Sequence, residues 1–273
     1  MKQILVATDF SASASNAMDY AMALAKILNM EVCAINAIPS MEGVGNNMYN
    51  AFFIDDYHAT KRQALKDWAA RYSTKEEYSG VEVTTTCIVG NLKSVITDYV
   101  AQHHVELLVM GLTGATGIMG IVGSNASTMV EAIKIPTLFI PIESKFSPSP
   151  VLTLATDYET RLSADDVNAI NEMVTAFGSG TMQVVYVAEK ADSKNKATEE
   201  AKLQELIKGA SLEFNYINNA NTTNGILTFI AEKPTDILCL VKHHHNIVYR
   251  LFTRSTINQV MNRSVKAILV LHE

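Results

Sequence analysis

Glycines and small polar residues punctuate the stretch from Met110 to Ser127. It runs Gly111-Leu112-Thr113-Gly114, then Ala-Thr-Gly-Ile-Met-Gly-Ile-Val, then Gly123-Ser124-Asn125-Ala126-Ser127. Glycine lets a ligand approach the backbone closely. Small polar residues that open a helix present free N–H groups and the positive end of its dipole. Ser124 and Ser127 add hydroxyl donors. The chemistry this supports is anion binding, with phosphate as the first candidate. The same residues also suit a tight turn at Gly111 and Gly114 followed by a helix cap at Ser124, and short glycine motifs alone do not decide between the two.

Other residues carry chemistry more weakly. Ile4-Leu5-Val6-Ala7-Thr8-Asp9 sets a carboxylate at the end of an apolar run. Asp9 would repel phosphates, so as a ligand it suits an uncharged part of a molecule; as a local element it suits an Asx turn or helix start. Asp55, Asp56 and His58 invite a metal or catalytic role, yet an acidic helix N-terminus accounts for the two acids. Lys242-His243-His244-His245 stands where a second glycine motif would be. His243 and His245 could face one way and ligate a metal, or meet an anion together with Lys242. Three adjacent histidines cannot all converge on one ion, and a loop that has lost its glycines is the plainer reading. No Gly-Lys-Ser/Thr and no acid pair for a metal accompany the glycine motif, so hydrolysis is expected to be slow or absent. A Gly-x-Gly-x-x-Gly after the first strand is also missing, as is a Ser-Gly-Gly-x-Asp-Ser loop.

The elements that must hold these residues come in two similar sets. Residues 3–9 read QILVATD and residues 151–157 read VLTLATD. A helical pattern follows each, after Ser11 and Ser13 in the first set and after Ser163 in the second, where Gly178 marks the stop. Further strands are expected at 32–38, 81–89, 107–110 and 137–141, and again at 182–187, 212–217, 237–241 and 267–271. Helices are expected at 56–78, 92–103 and 124–134, and at 195–209, 225–232 and 255–263. Apolar strands alternating with helices predict an α/β fold: two tandem doubly wound, five-stranded parallel-sheet domains, residues 1–145 and 150–273. The polar, proline-bearing seam 143–150 is the expected linker. In such folds ligands lie beyond the carboxyl ends of the strands, where the strand order reverses. The stretch 39–55, rich in Gly, Asn, Met and aromatics, reads as a lid over that place or as a disordered or partner-contacting insert. Trp68 and Tyr72 read as packing.

Composition closes off other classes. With 48% apolar and 18% charged residues the 273-residue chain must bury a large core. The net charge is −6, and 10 basic against 14 acidic residues in 1–145 plus 12 against 14 in the remainder spread it evenly. That argues against nucleic-acid binding. No apolar run reaches the ~18 residues of a membrane span, and an acid arrives too early for a signal peptide. Cys33, Cys87 and Cys239 sit in strand-like runs and are expected as reduced, buried thiols of a cytoplasmic protein.

Taken together, the Ala-Thr-Asp strand end, the Gly-x₂-Gly…Gly-Ser frame and the Ile-Pro-Thr-Leu-Phe-Ile strand resemble the universal stress protein family, over nearly the whole chain as two copies. The resemblance implies a sensory or regulatory stress-response protein that binds ATP or AMP, with magnesium as an optional companion of the phosphates. Its pattern places Asp9 at the adenosine part, with Ala7 and Thr8 beside it. Ala37 packs on adenine, and Met110 and Gly111 flank ribose and phosphates. Gly114, Gly123, Ser124 and Asn125 hold the phosphate tail. The family spacing has nine residues between the second and third glycines, whereas eight lie between Gly114 and Gly123 here. That shortens the arm and keeps its donors. The second copy has lost both early glycines and carries Arg254-Ser255 in place of Gly-Ser, so no family-type nucleotide site is expected there. The resemblance also implies that the last strands of the two copies pair with each other. The rival reading is a scaffold without nucleotide, acting through homodimerisation or an unidentified protein partner.

Overall fold

The structure is a computed structural model, which describes residues 2–40, 48–112, 124–158, 162–188, 196–242 and 254–272, without the side chains of 48–53, 124 and 254. The first half contains β1 (Gln3–Ala7), α1 (Ala12–Leu28), β2 (Glu31–Ile38), α2 (Met48–Ser73), a 3₁₀ turn (Glu76–Tyr78), β3 (Val83–Val89), α3 (Leu92–Gln102), β4 (Val105–Leu112), α4 (Ser124–Ala132) and β5 (Thr137–Pro141). The second contains β6 (Leu152–Thr156), α5 (Ala164–Phe177), β7 (Thr181–Ala188), α6 (Lys196–Leu206), β8 (Ser211–Asn218), α7 (Thr222–Glu232), β9 (Ile237–Lys242), α8 (Arg254–Arg263) and β10 (Ala267–His272). Among the described residues no helix is long and apolar enough to cross a membrane.

All ten strands form one sheet in the order β3-β2-β1-β4-β5-β10-β9-β6-β7-β8. Neighbours are parallel within each half. The halves meet through an antiparallel β5–β10 pair, with Leu269 opposite Leu138 and Ile268 opposite Phe139. The expected pairing of the last strands is therefore present. It removes two sheet edges that would otherwise be open to pairing with other chains. Leu138 and Ile140 pack in the same buried cluster as Leu269 and Leu271, and on the other face Phe139 joins Ile268 and Val270, so both cores run across the joint. Helices α1, α2 and α5 cover one face, and α3, α4, α7 and α8 cover the other.

Local chemistry explains the helix ends. Ser11 Oγ accepts the Ala14 N–H at 3.1 Å and caps α1, and Ser163 Oγ accepts the Asp166 N–H at 3.1 Å and caps α5. Gly178 ends α5 in the left-handed conformation (φ 61°). Ser13, the other expected cap, lies inside α1, buried, and its Oγ has no hydrogen-bond partner among the described residues.

Several expectations need correction. Helix α2 starts at Met48 and ends at Ser73, ahead of the 3₁₀ turn, rather than spanning 56–78. Residues 48–55 of the expected lid are thus helical, and Asp55 and Asp56 lie within α2, not at its start; residues 41–47 lie outside the described residues. Past Gly45, nothing in Met48–Asp56 breaks a helix, so its Ala, Phe, Met and Ile carry α2 upstream. Strand β4 extends two residues beyond Met110, which puts Gly111 in the sheet rather than in a turn. Cys33 and Cys239 are buried free thiols, but Cys87 is only half-buried. Burial pushes the Cys239 thiol up to about 12, with Asp166 adding to the effect. Trp68 and Tyr72 do pack, with the indole N–H donating to Ser15 Oγ at 3.3 Å.

The seam is fastened rather than free. Asn16 in α1 donates to Pro141 O at 3.0 Å and to Ser144 O at 2.9 Å, and accepts from Lys145 Nζ at 2.8 Å. Phe146 packs edge-on against Tyr20, with ring centroids 5.0 Å apart. Asn16→Ala leaves two carbonyls under α1 without this donor and is expected to cost about 1–3 kcal/mol in urea unfolding. An unchanged denaturation midpoint would contradict this role.

Candidate functional site

In the first half the order β3-β2-β1-β4-β5 reverses direction at β1, so the carboxyl ends of β1 and β4 open a crevice between neighbouring connections. A cleft of about 590 Å³ lies there. Its walls come from the end of β1 (Ala7, Thr8, Asp9), the end of β2 (Asn36, Ala37) and the end of β4 (Met110, Gly111). Asn125 and Ala126 in the first turn of α4, Gly90-Asn91-Leu92 at the start of α3, and Ser11, Ala14, Pro39 and Ser40 add to them. The volume falls within the ~300–1,000 Å³ of small-molecule sites.

The structure thus brings Ala7, Thr8, Asp9, Ala37, Met110, Gly111 and Asn125 around one space. Ser124 begins α4, but its side chain lies outside the described residues, as do Gly114, Gly123, His243 and His245. Asp9 is exposed, and its Oδ1 accepts the Ser11 N–H at 3.0 Å, the Asx turn that local chemistry predicts. Thr8 Oγ1 accepts the Phe10 N–H at 3.0 Å, which holds Phe10 at φ 67°. The cleft is otherwise uncharged: Asp9 is the sole ionisable side chain among the described residues that line it.

Gly111 has a reason independent of any ligand. A Cβ there would stand 2.5 Å from Ser13 Oγ and 2.7 Å from the Ser13 carbonyl carbon and oxygen. The start of α1 rests directly on β4 at this point.

Sequence reasoning missed Asn36, Asn91 and their neighbours. Asn36 is buried, and its Nδ2 donates to Thr8 O at 2.7 Å, tying the ends of β1 and β2 together. A lone amide in the apolar run 32–38 was the available signal. Asn91 Oδ1 accepts the Ser94 N–H at 3.0 Å and caps α3. The Gly90-Asn91 pair just before an apolar helical pattern could have shown that this helix also starts at the cleft.

The second half repeats the strand-end turn with different side chains around it. Thr156 Oγ1 accepts the Tyr158 N–H at 3.0 Å and Tyr158 sits at φ 59°, matching Thr8 and Phe10. Asp157 is buried, and Ser163 rather than Asp157 caps the next helix. Ala7 lies opposite Ile35 and Ala155 opposite Val185, so two residues on, Val187 takes the place of Ala37. Val187 is buried, and a Cβ on Gly225 would come within 2.5 Å of its Cγ1. On the other face Tyr186 stacks on Tyr158 at 5.0 Å, and Lys196 Nζ lies 3.5 Å from the centroid of Tyr216.

The profile of the universal stress protein family matches residues 1–141, half of the chain. The chain belongs to the universal stress protein family. None of the curated proteins compared with it matches. Among solved structures, a universal stress protein from Archaeoglobus fulgidus DSM 4304 superposes with a TM-score of 0.78 at 18% identity, over 99% of this chain and 98% of that one. A functionally unknown protein from Pseudomonas aeruginosa PAO1 gives 0.59 at 14% identity, over 100% and 92%. The universal stress protein UspA from Lactobacillus plantarum gives 0.43 at 23% identity, over 51% and 96%. At these identities the likeness to the first two is one of fold, and with the Archaeoglobus protein it extends across both halves of the sheet.

Proposed function

We propose that this universal stress protein binds an adenine nucleotide, ATP or AMP, in the first-half cleft, as a sensory or regulatory cytoplasmic protein rather than a metabolic enzyme. The observation that carries the reading is convergence. Ala7, Thr8 and Asp9 from one segment, Ala37 from a second, and Met110, Gly111 and Asn125 from a third line a single cleft at the reversal of strand order. Ala37 leaves a shallow apolar surface for a base, Asp9 offers a carboxylate to hydroxyls or an amine, and the α4 start offers N–H donors to phosphate. Residues 1–145 act as the nucleotide-binding domain and 150–273 as a degenerate partner, a reading supported by the larger Val187 at the position of Ala37. Magnesium, where it takes part, accompanies the phosphates, and His243 and His245 carry no role in this reading.

Calorimetric titration of the full chain with AMP and ATP tests it. Binding is expected in wild type, and Ala37→Leu, which fills the base end, is expected to weaken it by about tenfold or more with the fold unchanged by circular dichroism. Gly123→Val is expected to weaken it through the phosphate end. No heat from either nucleotide at millimolar concentration would sink the proposal and leave the scaffold reading, in which the chain acts through a second copy or a protein partner.

A further inference from the structure

We infer that the chain pairs with a second copy of itself through the outer edge of β3, antiparallel about a two-fold axis at Thr86. Strand β3 ends the ten-stranded sheet, and among the described residues only β2 pairs with it. An open edge is a template for another strand, and proteins that keep one unpaired place Lys, Pro or a bulge there. Strand β3 has none of these. Val83-Thr84-Thr85-Thr86-Cys87-Ile88-Val89 contains no charged residue and no Pro, and its register with β2 is unbroken from Val83 to Val89. Val89, at its end, is exposed although apolar. The opposite edge, β8, does carry a charge, the exposed Glu213.

The backbone decides which residues are free to pair. The Glu82 carbonyl accepts the Val32 N–H and the Gly90 N–H donates to the Ile38 carbonyl, so the even-numbered residues turn toward β2. Alternate residues of a parallel ladder turn both backbone groups the other way, which leaves Val83, Thr85, Cys87 and Val89 facing out. A two-fold at Thr86 sets Val83 opposite Val89 of the second copy and Thr85 opposite Cys87, so every outward N–H and C=O finds a partner. A two-fold one residue on, at Cys87, carries Val83 past the end of the facing strand to Asn91. Side chains accept the Thr86 register, since Thr86 meets Thr86 and Thr84 meets Ile88. No like charges oppose each other along the strands. Glu82 falls opposite Gly90, and of the two α2 cations that act on Cys87, Lys61 lies over the Phe10 and Tyr57 rings and Arg62 is exposed. An unrelated extended strand could use the same outward groups; the self-complementary register is what selects a second copy. The chain already holds one joint of this kind, the antiparallel β5–β10 pair between its halves, with buried cores on both faces. A β3 joint continues the same sheet.

Sedimentation velocity and hydrogen–deuterium exchange on the full chain, without nucleotide, test this. A dimer is expected at micromolar concentration, and its dilution to monomer is expected to speed exchange in residues 83–89 and leave 211–218 unchanged. Thr85→Pro removes one outward N–H from each copy and none of the bonds to β2, and is expected to weaken the dimer at least about tenfold. Thr84→Lys, at an exposed position that tolerates a long side chain, adds the charge the edge lacks and is expected to weaken it by about threefold or more. It keeps the test in force where proline unfolds the strand. A chain that stays monomeric overturns the inference, including one that takes up an extended peptide instead. So does a dimer whose residues 83–89 exchange as fast as the monomer's, or one that Thr84→Lys leaves as tight as wild type.

Discussion

Gly111→Ala is expected to destabilise the protein by about 3 kcal/mol, at the upper end of what overpacking costs. The added Cβ would meet Ser13 Oγ at 2.5 Å and, more seriously, the Ser13 carbonyl carbon and oxygen at 2.7 Å. A flexible side-chain tip can swing aside, but backbone in the first turn of α1 moves only with the helix. That helix is fixed on both sides, by Trp68 and Tyr72 of α2 and by the Asn16 bonds to the seam. Ser13→Gly in the same background removes the Oγ contact and leaves the carbonyl contact, so it should restore only part of the loss. Urea unfolding of the wild type and the two variants measures this directly. Wild-type stability in Gly111→Ala, combined with lost nucleotide binding, would mean that the glycine serves ligand approach and not helix packing.

Gly111 also shows where sequence reading stops. The residues at 111–114 and 123–127 announced a crevice with room for backbone approach, and a cleft is there. What the residue types alone left undivided was which backbone approaches: a phosphate or another part of the protein. At Gly111 it is α1, a partner roughly a hundred residues upstream, and no local pattern encodes such a contact. The fold was far more legible, because its signals are local and periodic. Apolar runs such as Leu108–Met110 and Leu238–Val241, alternating with helical patterns, suit buried parallel strands. Ser163 and Gly178 bracketed α5 almost to the residue. The start of α2 was not, since Met48–Asp56 mixes Asn, Phe and acids without a clean 3.6-residue period.

The site was legible in its ends and less so in its middle. Asp9, Ala37 and Met110 sit at strand ends, where topology alone places ligands, and all three line the cleft. Asn36 and Asn91 escaped notice because each spends an amide on backbone, the Thr8 carbonyl and the Ser94 N–H, which is a structural duty that leaves little chemical signature. In the second half the reverse held. The loss of glycines after β9 suggested an absent site, but the other difference at the strand ends, Val187 in the place of Ala37, lies in a strand and looked like any other core valine.

The substitution of Val187 for Ala37 does not stand alone, and its partner yields the second large effect. Val95 is the fourth residue after the Asn91 cap of α3, and Gly225 is the fourth after the Asn221 cap of α7. The first half therefore combines a small strand residue with a branched helix residue, and the second combines a branched strand residue with none. Gly225→Ala should gain about 1 kcal/mol of helix propensity, since glycine is costly inside a helix. The Val187 Cγ1 atom at 2.5 Å from the new Cβ, with Asn219 Cβ at 3.3 Å, outweighs that gain. Overpacking of about 3 kcal/mol leaves a net loss near 2 kcal/mol. Val187→Ala alone should lose about 2 kcal/mol to the cavity it opens. In the Val187→Ala background the same Gly225→Ala change has space for its methyl group, so its sign should reverse to a gain of about 1 kcal/mol. The double-mutant cycle then shows a coupling of about 3 kcal/mol. Additive losses in urea unfolding would mean that the two positions do not share that space, and would also remove the packing reason for reading the second half as having no room for a base.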